Sequence, residues 1–449
     1  MDTSTVVSRR SLLGGAGAAA LALTTFGCSG KSDSGYGQAK GNVPDKYAKR
    51  TRVVLWSAYS GTPGTTLSAL AQKFNDSQDE VYVEVQFQGT YDQASQKTAA
   101  AVQAKQIPDL VTFSEVTWHR FYLNDLLEPL DGYFTGDFAK SVYQQQLLSE
   151  GVLKGKTWWL PFARSTPLFY YNKTLFAKAG LPDRGPADWD EWYGWSKQLK
   201  GLQASGKQVK MECYQKVDGD WQFQGSVWQW GGSYSDGLTV TINKPEAVAA
   251  AEWQRKLIFD DKMAYMADSP TTDFSNQLVA TMVTSTGSLS TAVAAAKKGG
   301  WEVGTAFVPA KARQVVPTGG GGLSIMRYAT SKRKKAAFAF IKFLADPANA
   351  AYWCVKTGYM PAVGEAVNDP QLATLLKANP NYNVAVQQLA KVRKEDEVRL
   401  MVPNSNVMIY TGLQKIWSDN APVQGVFDDV ASQLTKATGQ VKAQIEKHV

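Results

Sequence analysis

Side chains that could hold a small polar ligand follow predicted strands of this 449-residue chain. Glu115 comes shortly after the apolar stretch 109–113, and its carboxylate can accept hydrogen bonds from two neighbouring hydroxyl groups. Ser165 and Ser285 offer hydroxyl donors, and the glycine run 319–322 allows a backbone to approach a ligand closely. Such groups can cradle a phosphate or a polyol without a nucleophile. Two other interpretations stay open: Glu115 as a solvated acid at a helix start, and the glycine run as a flexible turn.

Aromatic side chains beside turns could form the apolar walls of such a site. Tyr91 and Tyr359 follow glycine-containing turns, and Trp221 opens a tryptophan-rich segment that ends at Trp230. An indole face can stack on an apolar group or attract a cation. The alternative is that these rings belong to the core, which is the ordinary place for most of the 19 tyrosines.

The chain offers little chemistry for catalysis or metal binding. His119 and His448 are its only histidines, so a zinc centre or a Ser-His-Asp triad has few candidates. Adjacent acids, as at 260–261, point in different directions on a helix and make poor acid–base pairs. Cys213 and Cys354 are far apart in sequence, and we expect two buried thiols, with a disulfide as the alternative. We therefore favour a binding protein without a cofactor over an extracellular phosphodiesterase or glycosidase.

The segments that must position these residues alternate between strand and helix patterns. Residues 52–56, 81–87 and 109–113 are typical of strands, and helical patterns at 62–75 and 91–106 separate them. This alternation predicts an α/β fold with mainly parallel sheets flanked by helices. Binding residues then belong at the carboxyl ends of the strands.

Residues 161–172 divide the chain into two such units. Pro161 and Pro167 bracket a short polar patch, and the apolar run 168–171 is typical of a buried strand entered through a constrained turn. Roughly four hundred residues remain after the N-terminal segment, which exceeds one ordinary core and favours two lobes. We expect the first lobe to hold residues 51–163 and about 317–362, and the second to hold about 168–312 and 366–449.

The N-terminal segment 1–28 has the pattern of a twin-arginine export signal. Arg9 and Arg10 precede an apolar run, and Cys28 ends it as the candidate site of lipid attachment. Because Thr25 departs from the usual lipobox, the alternative is that the segment is retained as a signal anchor. Residues 29–50 are rich in small and charged residues and predict a flexible tether. The net charge of +8 is dispersed, which argues against nucleic acid as a partner. We expect a monomer anchored outside the cytoplasmic membrane.

Four stretches in a fixed order resemble one known family. The chain is similar to the extracellular solute-binding proteins of ABC importers, and most to the actinobacterial branch that binds glycerol-3-phosphate and glycerophosphodiesters, at RSTPLFYYNK (164–173), STGSL (285–289), PTGGGGL (317–323) and TGYMP (357–361). The resemblance implies two lobes that close over a small molecule and deliver it to an ABC permease.

The resemblance also implies roles for individual residues. Glu115 matches the family's diol-binding acid, whereas Arg399 and Gly320 match its phosphate-binding arginine and amide donor. Ser285 would join them on the phosphate, and Tyr91, Trp221 and Tyr359 would contact the rest of the ligand. Asp218 stands where some relatives bring a second tryptophan. It could face a choline or ethanolamine cation, which favours a diester such as glycerophosphocholine over glycerol-3-phosphate.

An oligosaccharide is the alternative ligand within the same class of binding proteins. The fourteen tryptophans suit stacking on sugars, and the wider family is mostly sugar-binding. A sugar site would have no need of Arg399, so that residue separates the two hypotheses.

Overall fold

The computed structural model describes residues 35–136, 138–204 and 206–448. The expected export signal, Cys28 and residues 29–34 of the expected tether lie outside these residues. The remainder of the expected tether is folded, so that prediction is wrong there: Gly37–Gln38 pairs as a strand with Gln106–Ile107, and Tyr47 is buried and stacks on Tyr82. Composition did not reveal that these few apolar side chains pack on the first lobe. A search of the described helices finds none with the length and apolar character needed to cross a membrane.

The described chain alternates between strands and helices as the sequence pattern predicts. The strands are β1 Gly37–Gln38, β2 Thr51–Ser57, β3 Val81–Phe87, β4 Gln106–Ile107, β5 Leu110–Ser114, β6 Val152–Leu153, β7 Lys156–Thr157, β8 Leu160–Ser165, β9 Pro167–Asn172, β10 Gln203–Ala204, β11 Lys207–Gln208, β12 Glu212–Gln215, β13 Ser235–Asp236, β14 Thr239–Val240, β15 Ala264–Ala267, β16 Thr281–Ser285, β17 Val303–Ala306, β18 Val316–Pro317, β19 Gly319–Ile325 and β20 Val392–Arg393. The α-helices are α1 Gly61–Ser77, α2 Tyr91–Gln103, α3 Trp118–Leu123, α4 Gln145–Leu148, α5 Lys173–Lys178, α6 Trp189–Leu199, α7 Gly219–Gln229, α8 Pro245–Phe259, α9 Pro270–Ser275, α10 Leu289–Gly299, α11 Ser331–Leu344, α12 Pro347–Thr357, α13 Pro370–Ala378, α14 Pro380–Gln388, α15 Glu397–Met401, α16 Ser405–Asp419 and α17 Val423–His448. Short 3-10 helices occupy Asp45–Tyr47, Asp131–Tyr133, Lys140–Val142, Ser149–Gly151, Thr286–Ser288, Gly364–Asn368 and Leu389–Lys391.

The first lobe is built on a five-stranded sheet in the order β3-β2-β5-β19-β8. Strand β2 runs parallel to β3 and β5, whereas β19 runs antiparallel to both β5 and β8. Four strands therefore share one direction, and β19 alone is reversed. The reason is that β19 enters the lobe from the second lobe, whereas β5 and β8 end at the inter-lobe side.

The second lobe repeats this arrangement around β9. Strands β16 and β17 flank β9 and run antiparallel to it, and β12 pairs in parallel with β15. Backbone hydrogen bonds from Lys210 and Ala280 join the start of β12 to β16. All six residues of β9 are buried, as its continuous apolar pattern predicts for a central strand. Strand β9 is the reversed strand here, again because it enters from a crossing.

Thr166 marks the first crossing between the lobes and ties three chain segments together. It is fully buried between β8 and β9. Its hydroxyl donates to the Pro317 carbonyl at 3.1 Å and accepts from Gln388 Nε2 at 3.3 Å. Its own carbonyl accepts from the Thr286 backbone N–H at 3.1 Å. The polar patch between the two prolines therefore fixes the first crossing to the segments that contain Thr286, Pro317 and Gln388.

The C-terminal part of the chain is shared between the lobes, which differs from our expectation for residues 366–449. Leu372 of α13 packs in the first-lobe core beside α12, because the short helix Gly364–Asn368 turns the chain back onto that helix. Helix α17 begins in the second-lobe core at Val423 and ends with Ile445 packed among first-lobe residues. At about 1.5 Å per residue, its 26 residues span about 39 Å.

The two cysteines of the described chain are free and buried. Cys213 packs in the core of the second lobe, and Cys354 packs in the core of the first. They lie in separate cores, so the expected pair of buried thiols is confirmed.

Candidate functional site

All nine residues predicted for a ligand site line one cleft between the lobes. The cleft contains about 750 Å³ of empty space, counting the part that opens to solvent. The predicted residues around it are Tyr91, Glu115, Ser165, Asp218, Trp221, Ser285, Gly320, Tyr359 and Arg399. The prediction missed five other lining residues, namely Asp92, Ser114, Val116, Gln215 and Asn406.

The first-lobe wall is held by the ends of strands β5 and β19. Glu115 comes directly after β5, and its backbone N–H donates to the Gly320 carbonyl at 3.1 Å. This hydrogen bond places an acid beside the glycine run in the cleft wall. The run itself is a strand in this structure and not a flexible turn.

Three consecutive glycines let aromatic rings and a neighbouring strand approach β19. A side chain at Gly319 would place its Cβ 2.4 Å from the Trp221 ring. At Gly321 the same atom would lie 2.4 Å from the Tyr59 hydroxyl and 2.5 Å from that of Tyr91. Gly320 has a φ of +93°, and a Cβ there would lie 2.0 Å from the carbonyl oxygen of the neighbouring strand. Glycine is therefore required at each of these positions.

Rings from both lobes form the apolar walls of the cleft. Trp221 lies in the first turn of α7, and its Nε1 donates to the Thr318 carbonyl at 2.8 Å. Tyr359 stacks on Trp353 with centroids 5.8 Å apart, and its ring also lies against Gly287 of the second lobe. The Tyr91 hydroxyl is buried without a hydrogen-bond partner in the described residues. It is therefore a polar group that a ligand could satisfy.

Serine hydroxyls stand at both sides of the crossing. Ser165 ends β8 opposite Gly319, and Ser285 ends β16. The Ser285 hydroxyl accepts from the Gly287 backbone N–H at 3.1 Å, which leaves its own proton available for a ligand oxygen.

Arg399 lies at the centre of a buried group of carboxylates. Its Nε donates to Asp220 at 2.7 Å, and its Nη1 contacts Glu395 and, at 3.4 Å across the cleft, Glu115. Only 3% of its surface is exposed. No hydrogen bond joins its Nη2 atom to a described residue. Arg399 therefore balances three acids and keeps one N–H edge for a ligand.

The protonation of this group follows from burial and from the mutual contacts. Burial alone would lower the pKa of Arg399, but Glu395, Asp220 and Glu115 outweigh it and hold that pKa well above its usual value. Burial raises the pKa values of Asp220 and Glu395, and attraction to Arg399 offsets part of the rise. Because charged carboxylates are costly in the interior, the loss of Arg399 would leave them uncompensated.

Further acids line the same cleft. Asp218, which has a left-handed backbone conformation, precedes α7, and Asp92 accepts from Asn406 Nδ2 of the other lobe at 3.4 Å. Desolvation by the cleft walls, with repulsion from Asp220 and Asp92, raises the pKa of Asp218 to about 7. Solvent reaches the exposed Asp218 side chain and screens part of this effect. The cleft thus carries more acids than bases.

Arg164, in strand β8 just before the crossing, lies outside the cleft. It is fully buried, pairs with Glu150 and lies 4.9 Å from the centre of the Trp159 ring. It is not among the residues that line the cleft. Within the described residues, no group of three or more His, Cys, Asp and Glu side chains has the arrangement of a metal site.

Comparison with known proteins places the chain in a family. The family described as bacterial extracellular solute-binding protein matches residues 69–384. This chain belongs to that family. Such proteins bind small molecules and work with ABC permeases.

Individual relatives agree with this assignment. The chain is 32% identical to UgpB from Mycobacterium tuberculosis, whose crystal structure is a complex with glycerophosphocholine; the match covers 87% of this chain and 98% of that one, with a TM-score of 0.80. It is 26% identical to the sn-glycerol-3-phosphate-binding periplasmic protein UgpB of Pectobacterium atrosepticum, over 85% of this chain and 90% of the relative. Maltose-bound MalE3 of T. maritima shares the fold at 20% identity, with a TM-score of 0.75 over 86% of this chain and 99% of that one. The predicted α/β fold with two lobes is confirmed.

Proposed function

We propose that this protein captures glycerophosphodiesters outside the cytoplasmic membrane and delivers them to an ABC permease. The observation that carries the proposal is the cleft itself, in which one buried arginine keeps a free N–H edge among acids, hydroxyls and aromatic rings. Relatives whose names specify glycerophosphocholine or glycerol-3-phosphate support the same ligand class.

Each part of such a ligand has a partner of suitable chemistry. The free edge of Arg399, the Ser285 hydroxyl and the backbone at Gly320 would bind the phosphate, because these groups donate hydrogen bonds to anionic oxygens. Glu115 would accept from the glycerol hydroxyls. Tyr91, Trp221 and Tyr359 would cover the apolar parts, and Ser165 would add a donor at the crossing.

The charge of the cleft favours a diester over a phosphate monoester. A monoester approaches two negative charges at neutral pH, whereas a diester carries one and can bring a cation on its headgroup. Asp218 and Asp92 both line the cleft. They would repel the second charge of a monoester and attract an ammonium group. Glycerophosphocholine and glycerophosphoethanolamine meet both conditions.

The location and anchoring of the protein rest on the N-terminal sequence. We place the folded body outside the membrane after twin-arginine export, held by a lipid on Cys28 and acting as a monomer. Metabolic labelling with a fatty acid would test the anchor, because a Cys28→Ser variant should lose the label and appear in the medium.

Isothermal titration calorimetry on residues 29–449 tests the ligand. We expect glycerophosphocholine to bind, glycerol-3-phosphate to bind more weakly, and maltose to produce no heat of binding. Asp218→Asn should lower the affinity for glycerophosphocholine and reduce the ratio of this affinity to that for glycerol-3-phosphate. Asp260 is an exposed acid of the same lobe, so Asp260→Asn should change neither the affinity nor the ratio. Heat from maltose alone would overturn the proposed ligand and retain the family. An unchanged preference in Asp218→Asn would refute the role of the acid.

A further inference from the structure

The ligand cleft continues into a second groove between the lobes. This groove has about 440 Å³ of empty space and shares Asp92, Val116 and Asn406 with the cleft. Residues of α2 and α3 form its first-lobe side, and the segment from Leu400 to Val407 forms its second-lobe side. A ligand in the cleft can therefore extend past Asp92 without leaving the protein.

Arg120 lies in this groove without an acidic partner. Its Nη1 donates to the Ser95 hydroxyl at a long 3.4 Å, and its guanidinium carbon lies 5.4 Å from the centre of the Phe121 ring. No carboxylate of the described residues lies within the 4.0 Å that defines an ion pair. Burial lowers the pKa of Arg120, and Asp92 offsets this only in part. Arg399, which lines the adjoining cleft, has three carboxylate partners instead. A partly desolvated guanidinium without a counter-ion is suited to an incoming anion.

The charges change sign along the path from the cleft to the groove. Asp218 and Asp92 line the cleft, and Arg120 lies beyond Asp92. A headgroup that matches this order carries a cation close to the phosphodiester and an anion beside it on the outer side. An amino-acid headgroup of the serine type has this arrangement, because its ammonium and carboxylate share one carbon atom.

We propose that Arg120 binds the carboxylate of an amino-acid headgroup, so that the protein prefers glycerophosphoserine to glycerophosphoethanolamine. The inference rests on the proposed function, since it assigns the glycerophosphate part of the ligand to the cleft. Glycerophosphoserine and glycerophosphoethanolamine differ only in the carboxylate, which makes them a matched pair of probes.

Calorimetric titration of both diesters into the wild type and three variants tests the proposal. We expect glycerophosphoserine to bind about tenfold more tightly, the ratio that one charge-assisted hydrogen bond gives. Arg120→Gln should bring this ratio close to one while leaving the affinity for glycerophosphoethanolamine unchanged. Arg120→Lys should keep part of the preference. Lys97→Gln removes an exposed charge from helix α2 outside the groove and should keep all of it.

The outcomes separate this inference from the proposed function. Equal affinities of the two diesters for the wild type, or a preference that survives Arg120→Gln, would overturn the role of Arg120 alone. If the wild type binds none of glycerophosphoserine, glycerophosphoethanolamine and glycerophosphocholine, both the proposed function and this inference are overturned. A thermal melt of each variant shows whether it is folded, and the retained glycerophosphoethanolamine affinity confirms an intact cleft.

Discussion

Replacement of Arg399 by methionine should destabilise the protein even in the absence of ligand. The substitution removes the positive charge that contacts Asp220, Glu395 and Glu115 but keeps most of the side-chain volume. Breaking a buried ion pair by removing one partner typically costs about 3–5 kcal/mol, because the remaining charge loses its compensation. Asp220 and Glu395 are both buried, so we expect a loss within that range near pH 8.

The loss should depend on pH in a defined direction. Burial already raises the pKa values of Asp220 and Glu395 above their ordinary 3.8 and 4.5, so the folded protein retains protons there that the unfolded chain releases. Such a group makes folding less favourable as pH rises from the unfolded pKa through the folded pKa. Without Arg399 both folded values rise further, and the variant should be closer to the wild type at pH 5.5 than at pH 8.

Urea unfolding followed by tryptophan fluorescence at both pH values measures these differences. Arg327→Met is the matched control, because Arg327 forms an exposed ion pair with Asp125 that is worth at most about 1 kcal/mol. Adding Glu395→Gln to Arg399→Met should recover part of the stability, since one uncompensated acid is removed. A loss below about 1 kcal/mol at both pH values would show that the carboxylates are not compensated by Arg399.

Three further results are expected from the geometry of the cleft and the cores. Gly320→Ala should destabilise the protein by at least about 1–3 kcal/mol in urea unfolding, because alanine is strained at a φ of +93°. Gly132→Ala is the control: no atom lies within 4 Å of a Cβ added there, so the free energy of unfolding should change little. Cys213 and Cys354 should react with a thiol reagent only after unfolding. The reason is that burial raises the pKa of Cys213 well above its usual value and the pKa of Cys354 to about 12. Two reactive thiols in the native protein would contradict this prediction. The affinity for glycerophosphocholine should increase from pH 6 to pH 8, because Asp218, with a pKa of about 7, becomes charged and attracts the choline cation. Calorimetry at both pH values should find no such increase in Asp218→Asn.

Much of the fold could be predicted from the sequence because its signals are local. The alternation of apolar patterns indicates β2, α1, β3, α2 and β5 in order, and the apolar run after Pro167 indicates a buried strand. Packing of α13 and the end of α17 against the first lobe could not be predicted in this way. An amphipathic helix shows which face is buried but not which lobe covers it.

The types of group at the strand ends, and the glycines that allow close approach to β19, can be identified in the amino-acid sequence. The electrostatics of the site depend instead on how the two lobes pack. Arg399 meets Glu115 from 284 positions away, and Asp92 meets Asn406 from 314. Arg120, by contrast, has no such partner within the described chain. Ion pairing depends on the distance between side chains of separate lobes, and neither periodicity nor local composition carries that distance.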